Sequence, residues 1–183
     1  MKKMIKNIII VLLILGGVFL IFHPLTHQIK GREEVEVLNS HWLRQISSQS
    51  LETDDLPIGA ILYYENEVIG EGNHSVLADG DPTGHAVINA LRDAATSMGF
   101  EEFNKLDREE LKLVTTYEPC EMCKGALINN DIKNVRFMMS KKFKNFWKEY
   151  KQGFTYEMNK KNAGREYIQD SLFVIHPKYP FVP

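Results

Sequence analysis

The sequence predicts an α/β protein with a mixed sheet and helices on both of its faces, preceded by one membrane-spanning helix. Three observations lead there. From residue 34 onward, strand-like apolar runs alternate with stretches of helical periodicity. Residues 8–22 form an uncharged apolar run behind Lys2, Lys3 and Lys6. The two cysteines lie three apart, so packing rather than a disulfide framework has to hold the fold together.

Bulk properties narrow the class. A chain of 183 residues with 44% hydrophobic content can build one substantial core and is too short for two ordinary domains. Its net charge of -2 offers no overall attraction to a polyanion, so nucleic acid is not indicated as a partner.

Residues 1–25 read as the membrane anchor. As a helix rising about 1.5 Å per residue, residues 4–25 reach across a hydrocarbon core of roughly 30 Å, with Lys6 snorkelling. A cleaved signal peptide shares the basic start, but residues 19–27 hold no small-residue cleavage site. The lysines before the span exceed the net positive charge just after it. Positive-inside then predicts a single-pass membrane protein whose soluble part lies outside the cytoplasm. Residues 26–33 read as a tether, and residues 34–183 as the folded domain.

Within that domain, Val35, Leu38, Trp42 and Ile46 share one helical stripe, predicting a first helix over residues 34–49. Residues 52–56 read as loop. Gly59–Tyr64 and residues 67–70 are strand-like around Glu65 and Asn66, the pattern of a hairpin. Turn formers Gly80, Asp81 and Pro82 precede a second helix starting near Gly84, with Thr83 or Asp81 as its cap. Val87, Ala90, Leu91, Ala94 and Met98 form its buried stripe.

Residues 111–116 read as a third strand and residues 120–130 as a third helix with both cysteines in its first turn. A strand follows at Asn134–Met139. Phe143, Phe146, Trp147 and Tyr150 then mark one face of a fourth helix, and Lys141, Lys144, Lys148 and Lys151 another. Interleaved basic and aromatic residues can also line a nucleic-acid groove, but here the period separates them onto different faces, which favours a packed helix with a solvated side. A helix around residues 157–167 and a short strand at residues 172–175 complete the chain.

The chemistry-bearing residues are His85, Cys120 and Cys123. Two thiolates at i and i+3 at a helix start face one side, where exposed amides favour their charge. One imidazole from a second helix makes three donors. A zinc ion held by three protein ligands keeps its fourth position open, the arrangement of catalytic rather than structural sites. The plainer reading of Cys120 and Cys123 is a buried thiol pair or a redox disulfide of an anchored C-x-x-C protein.

Four segments carry a family resemblance: Pro57-Ile58-Gly59-Ala60, the hairpin exit Gly70-Glu71-Gly72, Asp81 through His85, and Tyr117-Glu118-Pro119-Cys120-Glu121-Met122-Cys123 with Lys124-Gly125-Ala126. The chain resembles the cytidine and deoxycytidylate deaminase superfamily, most of all its tRNA adenosine deaminases and guanine deaminases. That resemblance implies a three-layer α/β/α domain, a Zn2+ ion on His85, Cys120 and Cys123, a small nucleobase- or nucleoside-like ligand, and a homodimer.

The chain departs from the family pattern twice. Related enzymes read H-x-E before P-C-x-x-C, the glutamate carrying protons to the ring and to departing ammonia. Here that position is Val87, which has no titratable atom. Related enzymes also read G-x-G-x-N, the asparagine contacting substrate; here His74 takes its place, after Asn73. The plain reading of Val87 is a core aliphatic, and that of His74 a solvated loop residue; His74 and Asn73 are otherwise the candidate substrate-binding residues, and His74 could also reach the metal. Glu118 or Glu121 would have to replace the missing carboxylate. The expectation is therefore a membrane-anchored zinc protein with weak or lost deaminase activity, a pseudoenzyme. The alternative is an active hydrolytic deaminase using another proton carrier.

Overall fold

The computed structural model describes residues 10–12, 14, 16–17 and 37–160. Most of the segment read as an anchor, the tether, most of the helix over residues 157–167 and the strand at residues 172–175 lie outside the described residues. Residues 10–12, 14, 16 and 17 are helical. Among the described residues, no helix is long and apolar enough to cross a membrane.

The chain divides into two compact units, residues 1–141 and 142–183. In the first, helix α1 (Val37–Gln49) runs into a single 3-10 turn, Ser50–Thr53, and then strands β1 (Gly59–Tyr64) and β2 (Glu67–Asn73). Short helix α2 (Val76–Asp79) precedes the long α3 (Ala86–Met98) and then α4 (Phe100–Lys105). Strand β3 (Leu111–Tyr117), helix α5 (Glu121–Asn129) and strand β4 (Asn134–Met139) follow.

The sheet order is β2-β1-β3-β4. β1 pairs antiparallel with β2 and β3, while β3 and β4 run parallel, so the sheet is mixed as predicted. Glu65 and Asn66 both take positive φ, 50° and 68°, which gives the hairpin turn the twist its strands require. β2 continues past Gly70 to Asn73, three residues beyond the sequence reading.

Alternation along β1 sends side chains to two separate cores. Ala60 and Leu62 pack with Leu113, with Val87, Ala90, Leu91 and Ala94 of α3, and with Cys123 and Leu127 of α5. Ile61, Tyr63 and Val114 pack on the other face with Leu43 and Ile46 of α1. Helices therefore cover both faces of the sheet. Each fully buried aliphatic side chain contributes about 1.5–3 kcal/mol relative to exposure.

Two glycines set how closely α3 approaches. A Cβ on Gly72 would lie 2.4 Å from the Ala86 carbonyl oxygen and 2.4 Å from the Ala90 nitrogen; one on Gly70 would lie 2.4 Å from the Ala90 carbonyl oxygen. Only hydrogen at these positions lets β2 lie directly on the helix that begins beside His85.

Several local expectations change. Ile46 of the predicted stripe is buried as expected, but Trp42 is exposed and Leu43, one residue along, takes its place on the inward face of α1. Neither Thr83 nor Asp81 caps α3. The Asp81 carboxylate instead accepts from the Thr83 N–H (2.8 Å) and hydroxyl (2.7 Å), closing a turn ahead of the helix, and His85 is the cap residue. Lys141 precedes the fourth predicted helix and is buried, so it does not belong to that helix's solvated face.

In the second unit, α6 (Phe143–Asn159) carries the expected aromatic stripe. Phe146 stacks on Tyr150 with centroids 6.4 Å apart, and Trp147 meets Tyr150 edge-on at 5.6 Å.

Candidate metal centre and its surroundings

The predicted donors meet. His85 Nδ1 lies 3.4 Å from Cys120 Sγ and 3.7 Å from Cys123 Sγ, and the two sulfurs are 3.5 Å apart. A tetrahedral zinc with bonds of about 2.3 Å to sulfur and about 2.0–2.1 Å to nitrogen needs donor separations of about 3.6–3.8 Å. The triangle is within a few tenths of an ångström of that figure, so the residues fit the ion.

Backbone geometry explains why. Cys120 is the cap residue of α5, and its carbonyl accepts the Lys124 N–H at 2.8 Å, so Cys123 falls one turn along on the same side. His85 is fixed at the start of α3 by its own N–H to the Thr83 carbonyl (2.6 Å) and by the Asn89 N–H to its carbonyl (2.9 Å). Both cysteines are free thiols. The hydrogen bond between the sulfurs holds the Cys120 thiol down to about 5 against the opposing effect of burial, with His85 assisting. The same bond, burial and the Cys120 charge push the Cys123 thiol up. One thiolate is thus ready for a cation, and metal binding releases the other proton.

Val87 sits two residues beyond His85 and is 2% exposed, part of the core that contains Cys123. The two carboxylates considered as substitutes are engaged elsewhere. Glu118 Oε2 accepts the Lys141 N–H at 2.8 Å, and Glu121 is exposed with its carboxylate 3.6 Å from Lys124 Nζ.

His74 is not a solvated loop residue. It is 7% exposed, and its ring centroid lies 5.0 Å from that of His85, tilted by 34°. Its Nδ1 is 3.1 Å from Asp55 Oδ1. Its backbone is held by the N–H to the Ile58 carbonyl (2.9 Å) and by the Ser50 hydroxyl to its own carbonyl (2.8 Å). His74 is absent from the cluster whose donor atoms all lie within 4.8 Å of one another, which comprises His85, Cys120 and Cys123.

Asn73 has a different part. Its side-chain amide donates to the Ser50 hydroxyl and the His74 carbonyl, both at 3.3 Å, and its carbonyl accepts from Asn89 Nδ2 at 2.8 Å. It braces the loop instead of facing the donors.

Asp55 is the residue that the sequence reading missed. Burial pushes its carboxyl up, but the N–H groups of Leu77 and Ala78, the Thr53 hydroxyl and the His74 ring outweigh burial and hold it down to about 2. Nothing in the sequence distinguishes it from its neighbour Asp54, which is exposed with φ of 58°.

A mixed sheet between helices, with three soft and borderline donors at two helix starts, defines a metal-binding α/β protein. The chain belongs to the cytidine and deoxycytidylate deaminase zinc-binding family, whose sequence profile matches residues 37–139, more than half of the chain. Its cofactor is Zn2+, in keeping with the donor set.

Among its relatives, the tRNA-specific adenosine deaminase of Buchnera aphidicola subsp. Schizaphis graminum is 36% identical over 107 residues, 57% of this chain and 68% of that protein. The tRNA-specific adenosine deaminase of Haemophilus influenzae is 30% identical over 138 residues, 70% of this chain and 76% of that one. The guanine deaminase of Bacillus subtilis is 35% identical over 71 residues, 39% of this chain and 42% of its own length. The X-ray structure of that guanine deaminase matches the fold with a TM-score of 0.55, at 22% identity, over 78% of this chain and 94% of that one.

Proposed function

We propose that this protein is a membrane-tethered zinc protein of the deaminase family that binds a nucleobase- or nucleoside-like ligand and has weak or no hydrolytic turnover. The observation that carries this reading is the buried Val87 in the place where related enzymes hold their proton-carrying glutamate. In this reading His85, Cys120 and Cys123 hold Zn2+, which supplies Lewis acidity when bound. Hydrolytic deamination also requires a proton to reach the ring and then the leaving ammonia, and an alkyl side chain moves none. Of the two carboxylates beside the cysteines, Glu118 accepts the Lys141 N–H and Glu121 is exposed near Lys124, so neither supports a bypass.

The names of the relatives support a purine ring as ligand, adenine or guanine in type. His74 adjoins the centre in this reading and contacts that ligand. Asn73 supports it from behind.

The test is an ammonia-release assay of the zinc-loaded full-length protein in detergent against free bases, nucleosides and nucleotides. The natural protein should be inactive or nearly so, whereas Val87→Glu should raise turnover about a hundredfold or more at constant zinc content. Ordinary enzymatic rates from the natural chain would refute the reading.

The tether rests on the apolar run and the lysines before it. In this reading the protein stays with the membrane after alkaline carbonate washing, and a reporter enzyme fused to residue 183 is active only on the extracytoplasmic side. Release by the wash, or cytoplasmic reporter activity, would count against it.

A further inference from the structure

We propose that the aromatic face of α6, with the lysines along one of its flanks, lies on a lipid surface that carries anionic headgroups. The tether proposed above brings the domain to a bilayer; this inference goes beyond it and names a surface of the protein that the bilayer meets.

The residues of α6 sort by angle. At about 100° per residue, Phe143, Phe146, Trp147, Tyr150, Phe154 and Met158 fall within roughly 120° of the helix circumference, and Lys144, Lys148 and Lys151 within the next roughly 60°. Over the 17 residues of α6 the stripe runs for about 25 Å. It is open, since every member is exposed except Phe146, which is half-buried. The three lysines are exposed too, and among the described residues none of them is in an ion pair. Glu157 falls at the C-terminal end of the stripe and is paired with Lys160.

Composition says what this face meets. Residues 142–160 hold no leucine, isoleucine or valine, the side chains that fill a protein core or a helix–helix seam. Trp147 and Tyr150 have an apolar body and one polar edge, which suits the headgroup level of a bilayer, dry on one side and wet on the other. The rings also pack on one another: Phe143 meets Trp147 edge-on at 6.0 Å and stacks on Phe146 at 6.5 Å. Together they form one continuous apolar surface, whereas successive nucleobases need separate rings with open faces to stack on.

Charge points the same way. Residues 142–160 carry five lysines against two glutamates, in a chain whose net charge is -2. Basic charge is thus concentrated beside the aromatic stripe. That is the arrangement of a helix lying in the plane of a membrane surface, its apolar face among the upper acyl chains and its lysines among anionic headgroups. A tether of residues 26–33 keeps the start of the folded domain within roughly 29 Å of the bilayer, so weak adsorption suffices.

The experiment uses the full-length protein with Trp42→Phe, which leaves Trp147 as its only tryptophan. It is reconstituted with vesicles of phosphatidylcholine, alone or mixed with phosphatidylglycerol, that carry a nitroxide quencher just below the headgroups. Trp147 should be quenched about twofold or more strongly in the anionic vesicles, and concentrated sodium chloride should remove the difference. Combining Lys144→Glu, Lys148→Glu and Lys151→Glu on the exposed flank should bring quenching in anionic vesicles down to the neutral level. The salt arm needs no substitution in α6, so it decides the matter even if that variant misfolds. Equal quenching in the two lipids, or a difference that survives salt, overturns the inference. Trp147 shielded from aqueous acrylamide yet reached by the nitroxide in neither lipid would mean that protein covers the stripe, and shielding by single-stranded RNA but not by vesicles would assign the face to nucleic acid; both overturn it. Flotation with neutral vesicles reports the anchor separately: failure to float there refutes the tether, while quenching in anionic vesicles still decides the role of α6.

Discussion

Asp55 makes the centre sensitive to pH through its surroundings as well as its thiols. Its carboxyl titrates at about 2 in the folded chain against an ordinary 3.8. A depressed folded value means that the contribution to stability is complete above about 3.8, declines as pH falls through that window, and is gone below about 2. The melting-temperature gap between the natural protein and Asp55→Asn should therefore be constant above pH 4 and shrink from there toward pH 2. Loss of zinc in acid affects both proteins and cancels in the gap; a gap that does not narrow would show that Asp55 is not held in this way. At this scale the sequence was legible where chemistry lies in short motifs. The spacing of His85, Cys120 and Cys123 located the donors, and Val87 was visible as a missing carboxylate. Asp55 was hidden, because a left-handed turn at Asp54 decides which of two adjacent acids turns inward.

Among the elements, β2 and α3 are the most tightly coupled. Gly72→Ala would force a methyl group against the backbone of Ala86 and Ala90, atoms that cannot rotate away. Overpacking of this kind costs about 1–3 kcal/mol, and here the strain falls on the turn of α3 next to His85. Calorimetry should show a lower melting temperature for Gly72→Ala, and zinc titration a weaker affinity; an unchanged melting temperature would mean that β2 and α3 are less closely packed. The long elements were readable from period alone, since α3 repeats its stripe over thirteen residues. α2 and α4, at four and six residues, are too short for a period to register. The inward face of α1 was misjudged because Trp42 outweighs Leu43 in any hydrophobic pattern, although the smaller side chain is the one that fits against the sheet.

For the whole molecule, alternation of strands and helices foretold the layers, and the hairpin foretold that β1 and β2 pair, while the placing of β3 and β4 was not legible from pattern. What the pattern could not give was the second unit, because periodicity shows that α6 has an aromatic face without showing what that face meets. Metal should matter to the stability of the first unit as a body. Binding to the native fold alone raises stability by RT ln(1 + [L]/Kd), about 4.1 kcal/mol at a thousandfold excess over Kd. Stripping zinc with a chelator should lower the melting temperature of the natural protein, while His85→Ala, already short of a ligand, should respond little. Equal responses would place the metal elsewhere.

His85 and Cys120 stand 35 positions apart in the chain, on separate helices. An ion gripping both works as a reversible clasp, joining two distant segments in the folded chain and stabilising the fold because it binds that state in preference to the unfolded one. Such a clasp can be unfastened by competition for the ion alone, with no cut in the backbone. Zinc supply would then govern how long the protein survives as well as what it binds.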